Sequence, residues 1–544
     1  MATKYFFDNK IVKLPGAYST IVSGEQSQPL ALDYGKVLII DTGTLGSTWG
    51  GGAGIDGELA SGKDAVYKFN DLAELQFFLK GGMFWKIADA LFKPDKKSGA
   101  SGVSEVLFAR AAATTKAVMT FAATGGTFKV NTKDEGVNAN GVITSSHLDK
   151  GYAYTITTGT VDTAKWVFNI WRGSWVGNHT DNIAYNEIAK IDSDAILIVS
   201  SPEFNNIQTL LDWANTNSTF GRYFKLDATS AVVGTGEVVV SDISGITGYV
   251  AATGGTETYS SAKVSEILTA VAEEDYSFIL TDKYGMANYN ATENGLVVAH
   301  IMNGAKFKHF MYVGGGANAD EFSVADGSLA MGTYFNSPYI HVVHGEIAEA
   351  SDAVAEGFRW WSSLYHAAKV VGRTAGKEPQ VPLTKKSLGI DKLRHNPTKA
   401  EKERALDAGV KLSYWDQYLL KFCILQDVNT LQDNTRLFNA QGQSHQGSFM
   451  RIVEQINKEL VVNAEIDLLS DENGVNVNTL GAGRLKNWTE TYLESRLAKI
   501  GDDNLILKYR GVVVTKAGDA WNVNYGIVVN NEINKIFFTG FLFS

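Results

Sequence analysis

A single cysteine, eight prolines and the lack of any long apolar run are the first informative features of this 544-residue chain. One cysteine, Cys423, excludes an internal disulfide. It sits in the apolar run KFCIL (Lys421–Leu425), where a small buried hydrophobe is expected rather than a reactive thiol. Eight prolines against 54 glycines imply many turns and close backbone approaches. No stretch reaches the roughly 20 apolar residues that span a bilayer. The opening MATKYFFDNKIVKLPG has neither an uninterrupted apolar segment nor a cleavage site, so synthesis and folding in a cytoplasm are expected. The sequons at Asn178, Asn217, Asn290 and Asn487 then carry no glycans. Positive charge is also scarce. The formal net charge of -10 argues against nucleic acid as the principal partner.

Apolar residues are plentiful. They make up 44% of the chain, enough for large cores, and the 20% that is charged is too little for a disordered chain. With 22 Tyr, 27 Phe and 11 Trp, the aromatic content suits strands and buried interfaces. The length allows roughly three to four domains.

Along the chain, residues 1–27 read as an extended N-terminal arm broken at Pro15-Gly16. Residues 28–97 form the first part of an α/β core, opening with the doubly apolar strand KVLII (Lys36–Ile40) and a helix near Asp71–Lys80. Residues 98–180 carry short β segments separated by Gly, Asn and Thr turns and read as an inserted β domain. Val106–Phe108 is grouped with them. Residues 181–350 alternate strand and helix, which predicts a mainly parallel sheet. Residues 351–530 form a C-terminal core that starts with a helix over Ser351–Gly372. Thr398 and Glu401 have capping-box spacing ahead of a helix that stops at Gly409, and a further helix is expected over Phe449–Val461. Residues 531–544 form a C-terminal strand arm. The fold class is α/β (α+β multidomain), with a mixed-sheet core, an inserted all-β domain and extended terminal strand arms.

Several motifs suggest catalysis or binding, and each meets a chemical objection. VLIIDTG places Asp41 in the form of an aspartic-protease turn, yet that chemistry needs two carboxylates sharing a proton, and no second such turn is present. Gly52, Gly54 and Gly57 fit a dinucleotide fingerprint but lack the adjoining strand and helix. Gly372–Glu378 resembles a phosphate loop with a carboxylate where a hydroxyl would hold magnesium. HVVHGE (His341–Glu346) offers two imidazoles three apart, which a strand turns to opposite faces. Ser444-His445 has no flanking elbow and is expected in an exposed loop. No catalytic residue, cofactor or metal site is therefore assigned. From Leu383 to Leu412, Lys385, Lys386, Lys392, Arg394, Lys399, Lys402, Arg404 and Lys411 outnumber Asp391, Glu401, Glu403 and Asp407. That bias fits a basic surface facing an acidic partner.

The segment from Ala367 to Leu431 shows a definite order of features. A small-residue helix leads to Arg373-x-x-Gly376-Lys377 and a crossing segment with Pro379 and Pro382. Leu388-Gly389-Ile390 follows, then a charged helix ending at Ala408-Gly409-Val410, and a run closing at Asn429-Thr430-Leu431. This order resembles the C-terminal core of contractile tail sheath proteins. The opening LPGAYSTI (Leu14–Ile21), the turn KVNTKDEGVNANGVI (Lys129–Ile143) and the closing WNVNYGIVVNNEINKIFFTGFLFS are similar to segments of the same family. About 200 residues carry the likeness. Where the family has a Trp-x-x-Pro-Ala-Asn-like segment, this chain has EPQVP.

The resemblance implies a structural subunit of a virion tail, polymerising as stacked, hexameric rings around a tail tube. It would be assembled in a bacterial cytoplasm with baseplate and tail terminator proteins, without direct nucleic-acid contact or membrane insertion. Contraction would drive the tube through a target envelope. Pro15, Tyr18, Phe537, Phe538, Phe541 and Phe543 are expected in subunit-contact arms, and Lys399, Lys402 and Arg404 on a tube-facing patch. The alternatives are a cytoplasmic α/β hydrolase or aspartic-type protease using Asp41, or a non-contractile virion protein.

Overall fold

The computed structural model describes residues 5–7, 10–12, 34–41, 44–45, 66–81, 83–115, 117–132, 142–143, 151–173, 183–184, 196–244, 246, 250–252, 256–281, 295–304, 307–350, 357–432, 443–468, 481–498, 504–517 and 520–530. The chain divides into two compact units. The larger comprises Leu32–Lys458, Leu497–Arg510 and Gly526–Ser544. The smaller comprises Met1–Ala31, Glu459–Arg496 and Gly511–Tyr525.

The larger unit is built on a seven-stranded sheet. Its order is Val410–Lys411, Ile340–Val343, Phe310–Gly314, Phe278–Thr281, Lys36–Asp41, Glu105–Arg110 and Val66–Phe69. Every neighbouring pair is parallel except the last, which is antiparallel. Val37–Ile40, Val106–Ala109 and Phe278–Leu280 are buried throughout. Burial on both faces explains why these strands read as continuous apolar runs. Glu105–Arg110 pairs in register with Lys36–Asp41, so Val106–Phe108 belongs to this sheet and not to the β region with which the sequence groups it.

A buried helix, Ser363–Ala375, lies on the sheet, started by Ser362, whose side chain accepts the Tyr365 N–H. Its small residues permit a very close approach to the helix Met83–Phe92. A Cβ on Gly372 would sit 2.5 Å from the Leu91 carbonyl oxygen. The single helix expected over Ser351–Gly372 is in fact a strand followed by a helix. Phe358–Trp361 pairs antiparallel with Ile347–Ala350. Gly357 at φ 72° turns the chain first, and bulky aromatics favour the pleat. Residues 351–356 lie outside the described residues.

The middle of the chain forms two further antiparallel sheets. Val118–Ala123 and Gly126–Thr132 make a hairpin that also pairs with Phe224–Leu226 and Ala231–Val232. Gly151–Thr158 and Trp166–Gly173 pair with Val250–Ala251 and Ile196–Ser200. The strand at Ile196 thus joins this antiparallel sheet, not the parallel one. Aromatic rings fill the space between. Phe168 stacks on Tyr154 at 4.8 Å and meets Phe128 edge-on at 5.2 Å. The helix Ile207–Thr216, capped by Asn206, contributes Trp213, which packs on Phe220.

In the smaller unit, Tyr5–Phe7 pairs antiparallel with Lys10–Val12. The C-terminal part of the helix Gly447–Leu468 lies here with the helix Ala482–Ser495, which the sequence reading missed. Leu468 and Leu485 form a small core with Trp488, Val514, Trp521 and Val523. The Tyr492 hydroxyl donates to Glu459 at 2.7 Å, and Arg496 pairs with the same carboxylate at 2.8 Å.

Candidate assembly interface at residues 383–431

After the buried helix the chain turns at Gly376, where a Cβ would lie 2.0 Å from the Ser101 carbonyl oxygen. Only glycine lets the backbone cross so closely. Leu388 and Ile390 are buried, and Gly389 between them has φ 67°. Lys392–Leu393 then adds to the strand Ile347–Ala350. The predicted capping box is present. Thr398 Oγ1 accepts the Glu401 N–H, and the Glu401 carboxylate accepts the Thr398 N–H at 2.7 Å, opening the helix Lys399–Asp407. Gly409 stops it at φ 69°. Val410–Lys411 then enters the parallel sheet.

The structure divides the eight basic residues of this region between the interior and the surface. Lys411 is buried, with Asp427 as its partner at 2.5 Å. Arg394 pairs with Glu346 and stacks over Trp360, and Lys392 lies over Phe358. Lys385 is held by Asp416 at 2.7 Å. The three residues expected on a partner-facing patch lie on one helix. Lys399 is 92% exposed, with Glu403 at 3.9 Å. Lys402 is half-buried, its ammonium 4.5 Å from the Tyr414 ring centroid, and Arg404 is exposed.

Tyr414 connects that helix to a hairpin, Ser413–Asp416 with Lys421–Ile424. Asp416 organises the turn. Its carboxylate accepts the Tyr418 and Leu419 N–H groups at 3.0 and 3.1 Å and the Tyr414 hydroxyl at 2.8 Å. The Lys385 contact first, then these bonds, hold the Asp416 carboxyl well below the usual carboxylate range, while Asp416 and Tyr414 push the Lys385 ammonium up. The turn presents Tyr418 at 95% and Leu420 at 73% exposure, with Trp415 and Leu419 also exposed. The sequence reading missed this hairpin. Its signal was an Asp starting a four-residue turn between SYW and KFC, as Asx turns do.

Two buried polar networks lie beneath. In the first, Asp427 bridges Lys411 of the sheet and Arg451 of the helix Gly447–Leu468, the latter at 2.6 Å. Burial raises the Asp427 pKa, but Arg451 and Lys411 outweigh it and keep the group ionised. In the second, Gly316 N–H donates to Ser328 Oγ at 2.7 Å, and that hydroxyl is hydrogen-bonded to His344 Nδ1 at 2.7 Å. His344 Nε2 shares a hydrogen bond with His395 Nδ1 at 2.8 Å, and His395 Nε2 faces Glu401 at 3.4 Å. This run of hydrogen-bonded groups ends at the capping box. Burial, followed by the neighbouring His395 and His366, pushes His344 well below the ordinary imidazole value. His341 instead bonds the Val428 carbonyl at 3.0 Å, so the two imidazoles do not converge on a metal. Among the described residues no group of three or more metal-capable side chains forms.

Other sequence-read positions fall elsewhere. Asp41 ends the strand Lys36–Asp41, and Thr42-Gly43 and Gly52–Gly57 lie outside the described residues, as do Pro15, Tyr18, Phe537, Phe538, Phe541 and Phe543. Gly372 is buried within a helix, not in a phosphate loop. Ser444 is fully buried, and its carbonyl accepts from Asn429 at 2.8 Å, so the expected exposed loop is a pinned segment. Cys423 is buried as expected.

No protein-family profile matches this sequence, and no curated protein matches it. Similar solved structures include sheath tail proteins. One from Desulfitobacterium hafniense is 14% identical, with a TM-score of 0.49 over 94% of this chain and 99% of that one. One from Listeria innocua is 13% identical, with a TM-score of 0.47 over 93% and 97%. The helical sheath of the anti-feeding prophage in its contracted state is 10% identical, with a TM-score of 0.35 over 54% and 78%.

Proposed function

We propose that this chain is the structural, non-catalytic subunit of a contractile tail sheath. It polymerises around a tail tube in stacked rings, hexameric by the family resemblance, docks on a baseplate and drives the tube through a target envelope. The observation that carries this reading is the segment from Ala367 to Leu431. Its order resembles the family's core, and in the fold it runs as one continuous path. The buried helix leads through Gly376, Leu388–Ile390 and the capped helix into the edge strand Val410–Lys411. Free energy for contraction would come from two inter-subunit packings of different stability, a bistable assembly needing no nucleotide or metal.

The terminal segments support the same reading from the sequence. Ile536–Phe543 is apolar on both faces, a pattern that demands cover on all sides and suits strand addition to a neighbour. Sedimentation of the purified chain tests the proposal. Full-length protein is expected to pellet as polymer, and chains lacking Met1–Ser19 or Phe537–Ser544 to stay soluble and folded. A full-length chain that remains monomeric at all concentrations and salts contradicts the proposal.

A further inference from the structure

The turn at Gln417–Leu420 combines three properties. It is apolar and exposed, with Tyr418 at 95% and Leu420 at 73%. It is rigid, because Asp416 caps two of its N–H groups and is itself fixed by Lys385 and Tyr414. It is strained, because Leu420 holds φ 52°, a left-handed conformation that a bulky residue rarely adopts. Such strain persists only where the surroundings impose it, and it clusters at working surfaces. A preorganised aromatic and aliphatic pair on a fixed turn is what an interface hot spot requires, since little side-chain entropy remains to be lost on docking.

The surroundings of the turn indicate its partner. Lys421 follows directly and is exposed, and Lys385 is bound to Asp416 at the start of the turn, so ammonium groups border the apolar tip as a basic collar. The chain as a whole carries a formal charge of -10, so its remaining surface holds the acidic excess that such a collar complements. We infer that the 413–424 hairpin is an anchor that inserts Tyr418 and Leu420 into an apolar pocket with an acidic rim on a second copy of this chain. The inference rests on the proposed homopolymer and names one of its contacts.

Photocrosslinking tests it with the full chain alone in solution. A benzophenone amino acid replaces Tyr418, and polymer and monomer fractions are irradiated. Covalent dimers and higher species from the polymer fraction, and none from the monomer, are expected. Y418S with L420S, and separately K421E, should each raise the concentration needed for polymerisation at least tenfold without moving the Tm. A polymer that forms normally, gives no intermolecular crosslink and tolerates both variants overturns the anchor while leaving the sheath proposal standing. Crosslinking to tube protein in place of a second copy, when tube is added, overturns the choice of partner. Absence of any polymer from the unmodified chain defeats the underlying proposal itself, and the anchor with it.

Discussion

At the scale of single residues, the most consequential side chain is Asp427. Its carboxylate is fully buried between Lys411 and Arg451, and the three belong to a loop, the edge strand and a long helix. A buried ion cluster adds little net stability over apolar packing, but removing one member strands the others. D427N should therefore cost about 3–5 kcal/mol, read as a lower urea midpoint. A change under about 1 kcal/mol would show that water reaches the cluster. The buried histidines give a second residue-scale prediction. Burial depresses His341 and His344 strongly and His366 to about 4. The unfolded chain then binds protons first, so their contribution is complete above the ordinary imidazole pKa of about 6.5 and is lost as pH falls below it. For His366 the loss ends near 4. Each such histidine adds up to about 1.4 kcal/mol per pH unit in that window. Glu346 and Glu454, raised by burial, oppose the trend, so the comparison with a variant is decisive. Stability of H366Q should depend less steeply on pH between 6.5 and 4 than that of the parent. Equal slopes would mean that His366 is not kept neutral by the fold.

At the scale of elements, the capped helix Lys399–Asp407 and its glycine stop are the best tests. T398A removes a cap worth about 1 kcal/mol. It also frees Glu401, the last acceptor of the Ser328–His344–His395 chain. G409A is far worse. It places a Cβ 2.1 Å from the Asn429 carbonyl oxygen at φ 69°, so its cost should exceed the roughly 1–3 kcal/mol of backbone strain alone. Thermal melts that rank T398A below G409A in stability contradict this geometry. These elements were legible in the sequence because a capping box and a C-terminal glycine are local signals. The sheet strands were legible because doubly buried strands leave unbroken apolar runs. The strand Phe358–Trp361 and the hairpin at Ser413–Ile424 were not. Their pairing partners lie on other segments or across a turn set by one aspartate, and no period in the sequence shows it. The charge count over Leu383–Leu412 likewise could not reveal that Lys411 points into the core.

At the scale of the whole molecule, the proposed sheath role makes the fold a building block. Reversing Lys399, Lys402 and Arg404 to Glu should leave the fold intact, because Lys399 and Arg404 are exposed and Lys402 is only half-buried, over the Tyr414 ring, while weakening co-assembly with an acidic tube. Unchanged co-assembly at low salt would remove that helix from the tube interface. The central claim is that the chain is made to polymerise, and negative-stain electron microscopy of the purified protein tests it most directly. Long tubes or stacked rings of uniform diameter are expected. A field of small, discrete particles at every concentration and salt would contradict it.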